Sequence, residues 1–119
     1  MNAETLRKAA SPQQAAAQAW RFDRFELDAA RGVLRAGGAE VALRPKTFEL
    51  LRYLVANPGR LIPKRELLDR VWVGVMVTED SVVQCVGELR AALGDSAQRL
   101  IVTVPRGGYR LDAPVEATV

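Results

Sequence analysis

A chain of 119 residues has room for one domain and one hydrophobic core, which excludes a multidomain enzyme. With 49% hydrophobic and 26% charged residues it is composed like an ordinary folded protein, and no apolar run reaches bilayer-spanning length. One cysteine and no histidine exclude an internal disulfide, histidine-based triads and zinc sites, while seventeen basic against fourteen acidic residues, a net charge of +3, permit a polyanionic partner without demanding one.

Residues Met1 to Ala19 are rich in Ala and Gln, are broken by Ser11-Pro12, and are expected to form a flexible leader outside the folded domain. They contain no apolar stretch of the kind a secretory signal needs, so the cytoplasm is the expected compartment, either for this chain alone or for it as the cytoplasmic part of a larger, membrane-anchored protein. From Trp20 the texture changes. Trp20, Phe22, Phe25 and Leu27, then Val33-Leu34 and Val41 to Leu43 around Gly37-Gly38, predict a small antiparallel sheet, the paired glycines supplying the positive φ angles of a tight hairpin.

Pro45 opens a helix at a position where its missing N–H costs nothing, and Phe48, Leu51, Leu54 and Val55 recur at helical spacing until Asn57-Pro58-Gly59. A second, short helix begins after Pro63, with Leu67, Leu68, Val71 and Trp72 inward and Lys64, Arg65 and Arg70 outward. The segment Val73-Gly74-Val75-Met76-Val77 interrupts. A third helix then runs from the N-cap Thr78 to Leu93, with Glu79 and Asp80 complementing its dipole and Gly94 as its stop. Leu100 to Val104, the turn Pro105 to Gly108, and Tyr109 to Leu111 predict a second hairpin; the expected domain spans residues 20–114, with 115–119 a frayed tail or the start of a linker.

At 100° per residue the third helix carries Val82, Val86, Leu89 and Leu93 on one stripe. Asp80, Ser81, Gln84, Gly87, Glu88 and Ala91 lie opposite, with Cys85 and Arg90 on the flanks. A polar face without bulky groups suits a major groove about 12 Å wide, where Gln pairs with adenine and Glu accepts from cytosine N4. Gln84 and Glu88, one turn apart, fit that use. Charge placement agrees. Around the second helix four basic residues (Arg60, Lys64, Arg65, Arg70) face two acids, and Arg99, Arg106 and Arg110 surround the last hairpin, whereas the third helix holds one base against three acids. Basic flanks that hold phosphates beside a less basic reading helix separate the two tasks of DNA recognition.

Four stretches carry a resemblance to a known family. They are Arg44-Pro45-Lys46-Thr47-Phe48-Glu49-Leu50-Leu51, Arg65 to Trp72, Glu88-Leu89-Arg90-Ala91-Ala92-Leu93-Gly94-Asp95, and Ile101 to Leu111. With the order sheet, three helices, hairpin, they resemble the winged helix-turn-helix DNA-binding domains of the OmpR/PhoB type, and most closely the ToxR- and CadC-like branch, in which the domain stands at the N-terminus of the regulator. The resemblance implies an α+β fold with an N-terminal antiparallel sheet, a three-helix core and a C-terminal hairpin wing. It implies sequence-specific binding of double-stranded DNA as the output domain of a bacterial transcriptional regulator, with no enzymatic activity and no cofactor. Base-side candidates are Gln84, Cys85 and Glu88; Ser81 and Arg90 stand where the family contacts phosphate or a nearby base; Thr103 and Arg106 are the wing contacts; Gly107-Gly108 turn the wing. Tandem half-sites with self-association on DNA are the expected mode, and RNA polymerase is the candidate partner of the loop Val73 to Val77. Two departures stand out: Gly87 and Glu88 replace residues that are basic in many relatives, and that loop is unusually apolar. They keep open a second reading, a winged-helix protein-interaction module that no longer binds DNA. Cys85 has no second cysteine to resolve an oxidised thiol, which favours a small packing residue over a redox switch.

Overall fold

The computed structural model describes residues 18–118. The expected leader lies outside the described residues as far as position 17, and Ala19 already belongs to the first strand. Strands β1 (Ala19–Phe22), β2 (Phe25–Asp28), β3 (Val33–Ala36) and β4 (Ala39–Val41) form an antiparallel meander whose inward residues Trp20, Phe22, Phe25, Leu27 and Leu34 are buried. Gly37 and Gly38 join β3 to β4 with φ of +59° and +88°, the left-handed pair that a two-residue hairpin requires.

The chain's end departs from expectation. Val115–Thr118 is no frayed tail: it forms β7 and pairs antiparallel with β1, from Phe22 opposite Val115 to Ala19 opposite Thr118. The sheet therefore has five strands in the order β4-β3-β2-β1-β7 and takes in residues as far as Thr118.

Helices α1 (Pro45–Ala56), α2 (Lys64–Val71) and α3 (Glu79–Leu93) follow β4. Arg44 is extended ahead of Pro45, and Gly94 ends α3 in the left-handed conformation at φ +68°. Thr78 stands at the N-cap of α3 with extended backbone, but its side chain makes no capping hydrogen bond. Leu50, Leu51, Leu54 and Val55 of α1, Leu67 and Val71 of α2, and Val82, Val86, Leu89 and Leu93 of α3 join the strand residues in one continuous core. Burying this apolar surface, at about 25 cal/mol per Å², is the main force holding sheet to helices.

Strands β5 (Ile101–Val104) and β6 (Gly108–Leu111) form a separate hairpin, tied to the α1–α2 connection by reciprocal backbone bonds between Ile62 and Tyr109 of 2.8 and 3.0 Å. The glycines of this hairpin divide their work differently from the expected Gly107-Gly108 turn. Gly107 N–H closes the turn onto the Val104 carbonyl at 2.8 Å, and the left-handed residue at its tip is Arg106, at φ +66°. Gly108 is needed for close approach, because a Cβ there would lie 2.1 Å from the Ile62 carbonyl oxygen.

Candidate nucleic-acid interface

The core packing of α3 decides which of its residues face outward. Val82, Cys85, Val86, Leu89 and Leu93 are buried, which leaves Gln84 and Gly87 exposed and Ser81 and Glu88 half-buried at the rim. Ser81, Gln84 and Glu88 line an open depression of about 380 Å³ together with Arg44, Lys46 and Trp72. The polar face expected from the helical wheel thus exists, and the N-terminal end of α1 adjoins it.

Cys85 borders the same depression but is almost wholly covered. It is 6% exposed, and its thiol donates to Thr47 Oγ1 at 3.6 Å, so a partner on α1 draws it into the core from the flank that the wheel assigned. Burial, aided by the Glu88 carboxylate and opposed by the Thr47 hydrogen bond, pushes the thiol above its ordinary range. A covered thiol with a raised pKa is poorly placed to meet a base and poorly activated for oxidation, which favours packing as its task.

Glu88 is already engaged. Thr47 Oγ1 donates to its Oε1 at 3.2 Å and the Arg44 guanidinium donates to its Oε2 at 3.3 Å. Arg90 is engaged too. Its Nε and one terminal nitrogen donate to the Ile101 carbonyl at 3.0 and 2.5 Å, the same nitrogen donates to Thr103 Oγ1 at 2.8 Å, and the guanidinium lies 5.9 Å from the centre of the Tyr109 ring. Arg90 therefore clamps α3 to the wing, and Thr103 spends its hydroxyl as acceptor of that clamp while staying exposed.

Asp95, just past α3, completes the joint. It is 5% exposed and accepts backbone N–H bonds of 2.8 to 3.1 Å from Arg99, Leu100 and Ile101. Burial alone would raise its pKa; the Ile101, Leu100 and Arg99 donors and the Arg90 charge outweigh it and hold the carboxyl below its ordinary value. Sequence reasoning missed Asp95, Thr47 and Arg44. Asp95 directly after the helix-stopping Gly94 was the available signal for the first, since such a carboxylate collects free backbone donors.

The basic flanks are surface groups. Arg65 sits 3.9 Å from Asp69 and Lys64 3.9 Å from Glu79, both loosely paired and open to solvent, and Arg70 is exposed. Arg106 is exposed at the wing tip with no acid within 4.0 Å among the described residues. Arg60 instead joins Tyr53 on Glu66, whose carboxyl is held low chiefly by the Arg60 hydrogen bond. In the α2–α3 loop Val73 and Val75 are exposed and Met76 is 98% exposed, whereas Val77 packs against the core.

Comparison with known proteins bears on this surface. The family described as "Transcriptional regulatory protein, C terminal" matches residues 38–111. The transcriptional activator CadC of Escherichia coli is 36% identical over 81 residues, 66% of this chain but 16% of CadC, so the chain spans a small part of that relative's length. The solved DNA-binding domain of E. coli CadC superposes with a TM-score of 0.77 at 30% identity, covering 87% of this chain and all of that domain. The RstA DNA-binding domain of Klebsiella pneumoniae, solved in complex with the RstA box, gives 0.73 at 26% identity over 80% of this chain and 97% of that one.

Proposed function

The chain belongs to the OmpR/PhoB-type family of transcriptional regulatory domains, and from that membership we propose that it binds double-stranded DNA sequence-specifically as the output domain of a transcriptional regulator. The function is one of binding, without a catalytic step. The observation that carries the reading is the outward face of α3, which presents an exposed Gln84 and a half-buried Ser81 at an open depression, beside a wing whose tip arginine is exposed with no acid within 4.0 Å among the described residues. In this reading α3 enters the major groove and Gln84 reads a base there. Ser81 meets the adjacent backbone, the wing lays Arg106 and Thr103 on the neighbouring minor groove or backbone, and Lys64, Arg65 and Arg70 supply phosphate contacts. Arg90 contributes by fixing the wing against α3.

The test is affinity for a random-sequence duplex and for a sequence selected from a pool, each measured against salt. Log K is expected to fall with log salt at a slope of roughly 3 to 6, about 0.9 per phosphate neutralised. Gln84→Ala is expected to cost about 1–3 kcal/mol of discrimination at one base pair, whereas Arg106→Ala weakens binding to all sequences alike. Equal losses on selected and random DNA for Gln84→Ala would remove its reading role. No binding even at low salt would hand the chain to the protein-interaction reading.

Two finer readings accompany this one. Tandem half-sites are occupied by self-associating copies, which a steeper isotherm on two adjacent half-sites than on one would register. The Val73 to Val77 loop faces RNA polymerase, a reading supported by the exposure of Val73, Val75 and Met76. Among the described residues no helix is long and apolar enough to cross a membrane, which is compatible with a cytoplasmic site of action.

A further inference from the structure

An acid on a DNA-reading helix is an electrostatic cost unless something offsets it. Glu88 stands one turn beyond Gln84 on the outward side of α3, where phosphates would lie near it. Its carboxylate is held from both sides. Thr47, itself 2% exposed and accepting from the buried Cys85 thiol, donates to one oxygen; Arg44 donates to the other. The Thr47 hydroxyl is anchored in the core, so the carboxylate cannot swing outward toward a base without giving up that hydrogen bond. Arg44 is the opposite case: its side chain is 78% exposed and reaches Glu88 through one nitrogen at 3.3 Å, leaving most of its five N–H donors free.

We propose that Arg44 is a backbone-phosphate contact of the DNA interface, and that Glu88, locked by Thr47, is the positioning residue that holds Arg44 there and not a reader of bases. This rests on the DNA-binding reading above. Exposed ion pairs contribute little by themselves, so Arg44 shares its guanidinium between carboxylate and phosphate at small cost. Bidentate, planar donation makes arginine suited to that double task, which a lysine would perform poorly. The pair also offsets one of the three acids of the third helix: the charge of Glu88 is matched locally by a residue that stands at the entry to α1.

The experiment compares the unaltered chain with Arg44→Ala, Glu88→Gln and the double variant, on a random-sequence duplex across a salt series and on a pool of sequences for base preference. Circular dichroism confirms that each variant is folded. Arg44→Ala is expected to lower the salt slope by about 0.9, so that its deficit relative to the unaltered chain shrinks about 3.5-fold between 50 and 200 mM salt. Glu88→Gln is expected to leave base preference unchanged at every position and to shrink the effect of Arg44→Ala in the double variant. An unchanged slope in Arg44→Ala overturns the inference, as does loss of preference at one base pair in Glu88→Gln with the Arg44 contribution intact. Failure of the unaltered chain to bind any duplex overturns the DNA-binding reading itself, a result that neither variant outcome can mimic.

Discussion

Asp95 illustrates how a single side chain can hold the reading helix and the wing in one frame. Three backbone donors from the segment entering β5 converge on its carboxylate, and one of those residues, Ile101, also accepts the Arg90 clamp through its carbonyl. Asp95→Asn keeps the size but turns one acceptor into a donor facing N–H groups. Leaving buried donors unpaired costs about 1–3 kcal/mol, and urea unfolding at neutral pH is expected to show a loss of that order. The pH dependence has a definite sign. The folded pKa of Asp95 lies below the unfolded value of about 3.9, so its contribution is complete above that value and is lost as pH falls through the folded one. The Asn variant should therefore converge on the parent in acid and diverge above it. A difference that persists unchanged at acid pH would show that the carboxylate charge is not what holds the joint. At this scale the sequence was partly legible: Gln84 and Ser81 emerge from the helical wheel because their outward direction depends only on the helix. Cys85 and Glu88 do not, because their surroundings depend on Thr47 and Arg44, some forty residues earlier in the chain.

Elements were legible in proportion to their local signals. Pro45 at the first turn of α1, Gly94 in the left-handed stop of α3, and Gly37-Gly38 between β3 and β4 are residues whose backbone chemistry dictates the boundary. β7 has no such mark: Val115 and Ala117 offer two small apolar groups in four residues, and its partner β1 lies almost a chain length away. The loop between α2 and α3 is the converse, an element read from its composition and then divided by the structure. Val77 is spent on the core, and the exposed remainder, Val73, Val75 and Met76, has no folding task that accounts for its apolarity. Met76→Asp is accordingly expected to leave stability within about 0.5 kcal/mol, as for an ordinary surface substitution, and DNA affinity unchanged, while weakening capture of purified RNA polymerase on a DNA-bound complex. Unchanged capture would assign the loop no part in that association.

On the scale of the whole molecule the charges are sorted. Across the solvent face of the sheet, in register from β4 through β3, β2 and β1 to β7, stand Glu40, Arg35, Glu26, Arg21 and Glu116, so each strand sets a charge opposite the contrary charge of its neighbour. Opposite charges directly across strands favour this register over a slipped one. With Asp28, which pairs with Arg35 at 3.6 Å on the same face, they set two arginines against four acids there, and thus leave it without a positive field of its own. The surplus that makes the chain basic sits instead near α2 and on the wing. Counterion release counts only those cations that approach phosphate, so the two sets are separable by salt dependence although both are arginine-rich. Arg21→Ala with Arg35→Ala is expected to leave the salt slope for random DNA unaltered. Lys64→Ala with Arg65→Ala should lower it by about 0.9 for each phosphate that is no longer neutralised. Net charge falls by two in both double variants, so a general loss of positive charge would weaken them equally. An equal drop in slope would place the sheet in the DNA-facing surface and undo the assignment of α3 and the wing as the side that meets the duplex.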